Sequence, residues 1–268
     1  MSGVLTGRRA FITGSSSGIG AASARLLAAA GASIILHGRN AGKLAATEQE
    51  FRAAGFDVAS VIGALDDADA ARDIAGRALA IGPIDILVNN AGGAVAGGGS
   101  AEWFEAKPED WLISYRANVI SAVTVTQAIA PGMIKRKWGR VIQIASAIVD
   151  NPISTIPDYK SAKTGLLAFT TSLAVALRGT GVTANVISPG FIATEGLRAW
   201  VDGEAPAKGW GATWDEIEHN AAREVFPALV PRLGRPLDIA RTVMFQADPA
   251  GDFVTGAHFR IDGGLAIA

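Results

Sequence analysis

The sequence predicts an α/β fold, a doubly wound and mostly parallel sheet with helices on both faces. Short apolar runs alternate with longer tracts of helical periodicity along the 268 residues. These runs are apolar throughout, as is typical of strands that are covered on both faces. Glycine is also abundant, at 32 of 268 residues, against roughly 7% in average proteins. Such a surplus indicates turns and places where the backbone approaches a ligand closely.

The alternation defines the elements in chain order. The apolar runs, which are the predicted strands, are Ala10–Thr13, Ser33–His37, Val58–Ile62, Ile84–Val88, Arg140–Ala145, Val182–Ile187 and Ala257–Ile261. The helical tracts are Gly18–Ala30, Ala41–Ala54, Asp67–Ile81, Pro108–Lys137, Asp158–Arg178 and Leu237–Ala247. No repeat, low-complexity tract or linker divides the sequence, so we expect a single domain over residues 1–268.

Composition excludes several classes of site and partner. The chain has no cysteine, which rules out a disulfide framework, a thiolate zinc site and a cysteine nucleophile, and which fits a reducing, cytoplasmic compartment. His37, His219 and His258 are dispersed, so we expect no metal site. The net charge of −1 supports neither a nucleic-acid partner nor a membrane surface.

Targeting and membrane-spanning segments are not expected either. Residues 1–10 lack an apolar targeting core, and the longest apolar stretch, near Leu26–Leu36, is interrupted by Gly31 and Ser33. A spanning helix needs about 18 or more apolar residues. We therefore expect a cytoplasmic protein with no membrane partner.

A glycine-rich turn follows the first predicted strand and opens the first predicted helix. It reads Thr13-Gly14-Ser15-Ser16-Ser17-Gly18-Ile19-Gly20. Glycines in this strand–turn–helix setting permit a tight turn and a close approach of the backbone to a pyrophosphate at the helix N-terminus. An isolated glycine motif is a weak indication, and a purely structural turn is the alternative. The setting favours a dinucleotide site.

A candidate acid–base pair lies on a later helix. Tyr159 and Lys163 are four residues apart in a helical tract, so they share one face. We expect the Lys163 ammonium to favour tyrosinate and to lower the phenol pKa from about 10 toward the range useful at neutral pH. Ser146, at the end of a predicted strand, is placed to hydrogen-bond a substrate oxygen and stabilise charge there. The alternative is a half-buried tyrosine beside a solvated lysine.

The end of the second predicted strand indicates which dinucleotide binds. Folds that prefer NAD place a carboxylate about 20 residues beyond the glycine turn, where it holds the ribose 2′-hydroxyl. Here no Asp or Glu occurs between Ala32 and Glu48, and Arg39 follows the strand. Its guanidinium suits a 2′-phosphate, to which Ser16 and Ser17 add hydroxyl donors. We predict NADP(H) in preference to NAD(H); a solvated arginine is the alternative.

In their order and spacing, the motifs resemble those of the short-chain dehydrogenase/reductase family. The glycine turn has that family's G-x-x-x-G-x-G spacing. Two further segments resemble its NNAG and YxxxK motifs, namely Asn89-Asn90-Ala91-Gly92 and Tyr159-Lys160-Ser161-Ala162-Lys163. Later landmarks follow in the family's order: Ser188-Pro189-Gly190, Arg232-Leu233-Gly234-Arg235-Pro236 and Asp262-Gly263-Gly264. The resemblance covers the chain end to end and implies a Rossmann-like sheet of about seven strands.

The resemblance also implies site residues. Asn118, Ser146, Tyr159 and Lys163 would form a catalytic tetrad, in which Asn118 holds a water in a proton relay and Lys163 also binds the nicotinamide ribose. The remaining implied cofactor contacts, besides Tyr159 itself, are Gly14, Ser16, Ser17, Gly18, Ile19, Gly20, Arg39, Asn40, Leu65, Asn90, Ala91, Gly92, Ile192 and Thr194. The last two would meet the nicotinamide carboxamide.

Two positions depart from the family's pattern. Many NADP-preferring relatives carry Arg or Lys where this chain has Ser17. Relatives often have an aspartate after the third strand that contacts the adenine amino group, and Ala64 takes that position here. Leu65 would then pack against the cofactor or bond to it through its backbone.

Two segments interrupt the regular alternation. The range 92–100 is glycine-rich and lies where a substrate would enter, and the range 194–235 is expected to form a substrate lid. The lid's tryptophans either line an apolar pocket or pack the lid onto the body: Trp200, Trp210 and Trp214. Three other tryptophans are expected to pack the long helix: Trp103, Trp111 and Trp138.

Together these features predict an oxidoreductase that transfers a hydride between nicotinamide and a carbonyl or secondary alcohol substrate. The alternatives are a nucleotide-sensing protein of the same fold without turnover, a scaffold protein, a NAD-dependent alcohol dehydrogenase, and an epimerase or dehydratase. The resemblance implies a homo-oligomer, a tetramer or dimer, that pairs long helices and C-terminal strands. The apolar segments 166–177 and 257–268 suit that assembly.

Overall fold

The strands form one parallel sheet. The computed structural model describes residues 3–94 and 102–265. The strands in that part of the chain are β1 (Arg9–Ile12), β2 (Ser33–Gly38), β3 (Val58–Ile62), β4 (Ile86–Asn89), β5 (Gly139–Ile144), β6 (Val182–Pro189) and β7 (His258–Ile261). They lie side by side in the order β3-β2-β1-β4-β5-β6-β7, and every neighbouring pair is parallel. The predicted α/β fold is confirmed.

Helices connect the strands and cover both faces of the sheet. They are α1 (Gly18–Ala29), α2 (Ala41–Ala53), α3 (Ala68–Ile81), α4 (Pro108–Tyr115), α5 (Ser121–Arg136), α6 (Pro157–Ala176), α7 (Glu195–Lys208), α8 (Trp214–Glu224) and α9 (Pro236–Ala247). Most element ends differ from the predicted ones by only one or two residues. Fraying and capping of element ends account for shifts of this size.

Successive residues of each strand face opposite layers of helices. Ile34 of β2 packs in a cluster with side chains of α1, α2 and α9, whereas the adjacent Ile35 packs in a second cluster with side chains of α3 and α5. The same division separates Ile12 from Phe11 in β1. Since side chains alternate along a strand and both faces are covered, both sets of positions must be apolar. This explains the continuous apolar runs in the sequence.

The order of the strands creates a crevice at the carboxyl end of β1. From β1 the chain passes to β2 and β3 on one side, and after α3 it returns to pair β4 with the other side of β1. Open α/β sheets bind ligands at such a switch point, beyond the carboxyl ends of the strands. The glycine turn after β1 and the Asn90–Gly92 segment after β4 both lie there.

The tract predicted as one long helix, Pro108–Lys137, contains a π-helical turn. Arg116–Ile120 forms this turn between α4 and α5, and it carries the buried Asn118. Such a turn inserts an extra residue into a helix and often occurs at functional positions. The stretch Pro108–Arg136 has a mean hydropathy of 1.3 over its most apolar window and passes a length and composition criterion for crossing a membrane. Half of that window is buried inside the protein, and core helices meet the same criterion.

The lid segment folds into α7 and α8 and has a core of its own. Trp210 is 1% exposed, packs in a cluster with Val201 and Phe226, and donates its indole N–H to Glu224 at 2.8 Å. Trp214 packs at the edge of the same cluster. Trp210 and Trp214 therefore pack within the segment itself, rather than onto the body as one of the two expectations had it.

An ion pair fixes the end of the lid. The two terminal guanidinium nitrogens of Arg235 donate to the Glu218 carboxylate at 2.5 and 2.7 Å, and the Leu233 N–H donates to it at 3.1 Å. Burial alone would raise the pKa of Glu218, but the Arg235 guanidinium holds it below its ordinary value. The carboxylate therefore stays charged and joins α8 to the chain that leads into α9.

The other aromatic residues lie outside the lid. Trp103 meets Trp111 of α4 edge-on at 6.4 Å between ring centres. Trp138 packs instead at the start of β5, where the guanidinium groups of Arg8 and Arg140 lie 3.7 and 4.5 Å from its ring centre. The expected packing against the long helix thus applies to the first pair. Most of the glycine-rich stretch, residues 95–100, lies outside the described residues.

His37 joins the ends of three strands beneath the glycine turn. Its buried ring accepts the Gly14 N–H at Nδ1, 3.1 Å away, and so carries its proton on Nε2, which donates to the Gly63 carbonyl at 3.1 Å. Burial lowers the pKa of His37 from 6.5 to about 4, although the bond to Gly63 opposes this. The ring is therefore neutral at pH 7, as both hydrogen bonds require.

Acid is expected to destabilise the protein through His37. The unfolded chain binds a proton near pH 6.5, whereas the folded ring remains neutral down to about pH 4. Stability is therefore greatest above pH 6.5 and falls as the pH drops toward 4, by up to about 1.4 kcal/mol per pH unit. His37→Gln should flatten this slope in denaturant unfolding between pH 6.5 and 4.5. His219→Gln, an exposed control on α8, should retain it. An unchanged slope in His37→Gln would contradict the assignment.

Candidate active site

The turn after β1 requires glycine at its critical positions. Gly14 and Gly18 have positive φ angles of 64° and 56°, which L side chains rarely adopt. At Gly20, a Cβ atom would lie 2.5 Å from the Gly14 carbonyl oxygen. Since α1 begins here, the unpaired N–H groups of its first turn face the crevice beside Ser17 and Ile19. The backbone thus forms a cradle for a phosphate group.

Asn90 holds the glycine turn against the end of β4. Its side-chain amide donates to the carbonyls of Thr13 and Gly14, both at 2.9 Å. In return, the Thr13 hydroxyl accepts the N–H groups of Asn90 and Ala91 at 3.0 and 2.9 Å. A Cβ at Gly14 would lie 3.0 Å from the Ala91 Cα. The two segments expected to bind a cofactor are therefore a single hydrogen-bonded unit.

Residues expected to select the dinucleotide surround the end of β2. Arg39 is exposed directly beyond this strand. The Ser16 side chain lies beside Gly38, the last residue of β2, since a Cβ there would come within 2.9 Å of Ser16 Oγ. Asn40 caps α2 by accepting the Lys43 N–H at 2.9 Å. Leu65 buries its side chain in the core below α3, so only its backbone remains for a ligand.

Ser146, Tyr159 and Lys163 meet beyond the carboxyl ends of the central strands. Ser146 follows β5 and begins a short 3₁₀ turn, and its hydroxyl accepts the Ile148 N–H at 3.3 Å on the side of the cleft where Tyr159 lies. Tyr159 and Lys163 lie one turn apart on α6, with the ammonium 5.8 Å from the tyrosine ring centre. Lys163 donates to the Ile144 carbonyl at 3.0 Å. The three side chains line one cleft.

Burial controls the protonation of this group. It raises the pKa of Tyr159 above its ordinary value, and the nearby Ser146 hydroxyl only partly offsets that rise. It also lowers the pKa of Lys163 from 10.5 to about 8. The expected lowering of the tyrosine pKa by Lys163 is thus wrong here, because removal from water disfavours tyrosinate and only Ser146 opposes that effect. Tyr159 is a neutral phenol at pH 7 and carries a proton to donate.

Asn118 binds the backbone that follows β4. Its side chain accepts the Gly93 N–H at 2.9 Å and donates to the Gly93 and Ser114 carbonyls at 3.1 and 3.0 Å. A Cβ at Gly92 would lie 2.5 Å from Asn118 Oδ1 and 3.4 Å from Lys163 Nζ. Asn118 is therefore close to the lysine, and glycine is needed between them. The hydrogen bonds seen here position Gly93, and the relay water remains a prediction.

The segment after β6 approaches the glycine turn from the other side. Ile192 is buried and forms a bridge with Gly234, and Thr194 caps α7. A Cβ at Gly18 would lie 3.2 Å from the Thr194 side chain. Both sequence-predicted carboxamide contacts therefore border the cleft, whose volume is about 1030 Å³.

The structure adds residues that sequence reasoning missed. Lys43 of α2 and Glu195 of α7 form an ion pair of 2.8 Å at the mouth of the cleft, 152 residues apart in sequence. Phe191 and Phe226 line the cleft with ring centres 4.0 Å apart. Phe191 directly follows the Ser188-Pro189-Gly190 motif, but nothing local in the sequence identifies Phe226 as its partner. Among the described residues, no group of three or more His, Asp or Glu side chains suits a metal ion.

Comparisons with known proteins agree with this geometry. A family model for short chain dehydrogenase matches residues 8–205. An uncharacterized oxidoreductase of Bacillus subtilis, YvaG, is 35% identical over 97% of both chains. A 3-oxoacyl (acyl-carrier-protein) reductase of Agrobacterium tumefaciens, solved with NADP bound, superposes with a TM-score of 0.85 at 35% identity, over 97% of this chain and 95% of that one.

A third similarity extends over the entire length. The L-sorbose reductase of Gluconobacter frateurii, solved with NADPH and L-sorbose, has a TM-score of 0.89 at 29% identity and covers 100% of both chains. The match to the family model, the parallel sheet and the meeting of the motifs at one cleft agree with one another. The chain is an oxidoreductase of the short-chain dehydrogenase/reductase family, whose members act on CH–OH and C=O groups.

Proposed function

We propose that the protein is an NADP(H)-dependent oxidoreductase that interconverts a ketone or aldehyde and the corresponding alcohol. The convergence of Ser146, Tyr159 and Lys163 on the cleft that also borders the glycine turn carries this proposal. A nucleotide-sensing protein without turnover needs the turn but has no need of a serine, a tyrosine and a lysine that line one cleft beside it. The intact set therefore favours catalysis.

The residues present fit a dinucleotide cofactor. Gly14 and Gly20 lie too close to neighbouring atoms to carry a side chain. Because they have none, the backbone of the turn is accessible to a pyrophosphate. The Lys163 ammonium, buried with one carbonyl partner, has further donors for the hydroxyls of a ribose. Ile192 and Thr194 border the space expected for the nicotinamide. The bound nicotinamide would supply or accept the hydride.

The side chains divide the remaining work of the reaction. In the reducing direction, a C–H bond forms at the carbonyl carbon, the C=O π bond breaks, and the oxygen takes the phenolic proton of Tyr159. The Ser146 hydroxyl donates a hydrogen bond to the same oxygen and stabilises its developing negative charge. Lys163, with its pKa of about 8, stabilises the tyrosinate that remains and can help return a proton to it. The neutral phenol favours this direction.

Arg39 supports NADP(H) over NAD(H). Arg39 is exposed directly after β2, and no acidic residue occurs between Ala32 and Glu48 to hold a 2′-hydroxyl or repel a 2′-phosphate. Similar structures bound to NADP or NADPH point the same way. A NAD-dependent alcohol dehydrogenase of the same family is the alternative.

Three further expectations belong to this proposal. Residues 1–268 act as one domain, with residues 194–235 as a lid over a small-molecule substrate. The protein works as a homo-oligomer, a dimer or tetramer, which light scattering can measure. It acts in the cytoplasm, consistent with its lack of cysteine, and cell fractionation can test that location.

Tyr159→Phe tests the proton-transfer role. The variant should bind NADPH normally, measured by fluorescence titration, but lose about two to four orders of magnitude in kcat because no group then delivers the proton. The other tyrosine offers a matched control: Tyr115 bonds Ser161 at 3.0 Å outside the cleft, so Tyr115→Phe should retain turnover within about threefold. Near-normal turnover in Tyr159→Phe would remove Tyr159 from the mechanism.

Arg39→Ser tests the choice of cofactor. The unmodified protein should use NADPH with a kcat/KM more than about tenfold above that for NADH, and the variant should lose most of that difference by a higher KM for NADPH alone. Arg72→Ser, an exposed control on α3, should leave the ratio unchanged. A preference for NADH in the unmodified protein would refute the assignment.

A further inference from the structure

The cleft has one wall that no cofactor contact explains. Ile148, Ile153 and Ile156 come from the segment between Ser146 and Tyr159, and all three line the cleft. Ile153 is 41% exposed, so its apolar surface faces the opening. Branched apolar side chains directly beside the proton donor set the surroundings of whatever carbonyl reaches it.

Ile156 lines the cleft in an unfavourable backbone conformation. Its φ and ψ are 48° and 47°, the left-handed region, which a β-branched residue avoids and which the Pro157 that follows also disfavours. Such strain persists only where the surrounding structure imposes it, and it is concentrated at functional sites. An asparagine or glycine would adopt this conformation with less strain. The backbone therefore gives no reason for isoleucine at this position, and we attribute it to the apolar surface that the side chain adds to the cleft.

An aromatic surface forms the opposite wall. Phe191 directly follows Gly190 in the segment after β6, and its ring lies 4.0 Å from that of Phe226, centre to centre. Trp200 supports Phe226 from behind at 5.8 Å. Val225 extends the wall toward the opening, where it is 36% exposed. Both walls of the substrate side are therefore apolar.

Charged groups are few on the described lining of the cleft. They are Lys163, which bonds Ile144, and the pair Lys43–Glu195, which neutralise each other at 2.8 Å. Beyond the catalytic hydroxyls, Asn151 and Thr155 are the polar side chains near the isoleucines. The hydroxyls of a polyol would lose water against these walls without enough replacement hydrogen bonds, which is unfavourable.

We propose that the substrate presents its carbonyl on an apolar body, an alkyl or aryl ketone or aldehyde, and that Ile153, Ile156 and Phe191 select against polyhydroxylated carbonyl compounds. This inference rests on the proposed function. It differs from sugar reduction, which the similarity to an L-sorbose reductase would suggest.

A pair of ketones tests the substrate class. With NADPH, 2-octanone or acetophenone should be reduced with a kcat/KM at least about a hundredfold above that for D-fructose. Equal or better reduction of fructose would overturn the apolar class while leaving the oxidoreductase proposal intact. No turnover of these ketones, the matching alcohols with NADP⁺, or a wider carbonyl panel would overturn both.

Variants of Ile153 and Ile156 test whether these side chains select the apolar substrate. Ile153→Ser and Ile156→Asn should each raise the KM for 2-octanone about tenfold with little change in kcat. Ile156→Asn should do so without lowering the melting temperature, since asparagine tolerates the left-handed conformation. Ile134→Ser, at a similarly exposed isoleucine on α5 outside the cleft, should leave KM unchanged. An unchanged KM in both wall variants would overturn the assignment.

Discussion

The predicted catalytic site depends on hydrogen bonds between the two segments that follow the neighbouring strands β1 and β4. β1 and β4 are neighbours whose chains continue in opposite directions, which opens a crevice at their carboxyl ends. The Asn90 amide bridges this crevice by bonding the Thr13 and Gly14 carbonyls, and the Thr13 hydroxyl returns two bonds. The same stretch of backbone continues to Gly93, which Asn118 binds. The predicted phosphate cradle and the predicted catalytic group therefore share one support.

Desolvation is the second theme of the site. Burial removes His37, Tyr159 and Lys163 from water. It lowers the pKa of His37 and Lys163 and raises that of Tyr159, so that it favours the neutral form of each group. The consequences differ with position. A neutral His37 can accept from the glycine turn, a neutral Tyr159 keeps the proton that a carbonyl oxygen needs, and Lys163 with a pKa of about 8 can exchange its proton near neutral pH.

The two sides of the cleft differ in the residues that line them. The cofactor side consists largely of backbone and glycine, because a phosphate is held by N–H groups that side chains would cover. The substrate side consists of branched and aromatic side chains, supported by a lid with its own small core around Trp210. Variation of the second side leaves the first intact.

The sequence by itself determined the features that depend on local chemistry and periodicity. Alternating apolar runs and helical tracts predicted the parallel sheet, since burial on both faces requires apolar residues at every strand position. The glycine turn, the Tyr159–Lys163 spacing and the absence of acid near Arg39 could be read directly. Each of these requirements is met by residues close together in the chain.

Tertiary structure decided the properties that arise from long-range packing. The tyrosine pKa rises because of the depth to which folding buries the phenol, which spacing from a lysine cannot reveal. The Lys43–Glu195 pair likewise joins distant segments, and neither the π-helical turn at Asn118 nor the left-handed Ile156 could be read from the local sequence pattern. Phe191 and Phe226, which shape the cleft, are separated by the whole length of α7 and α8 and meet only because the lid folds back.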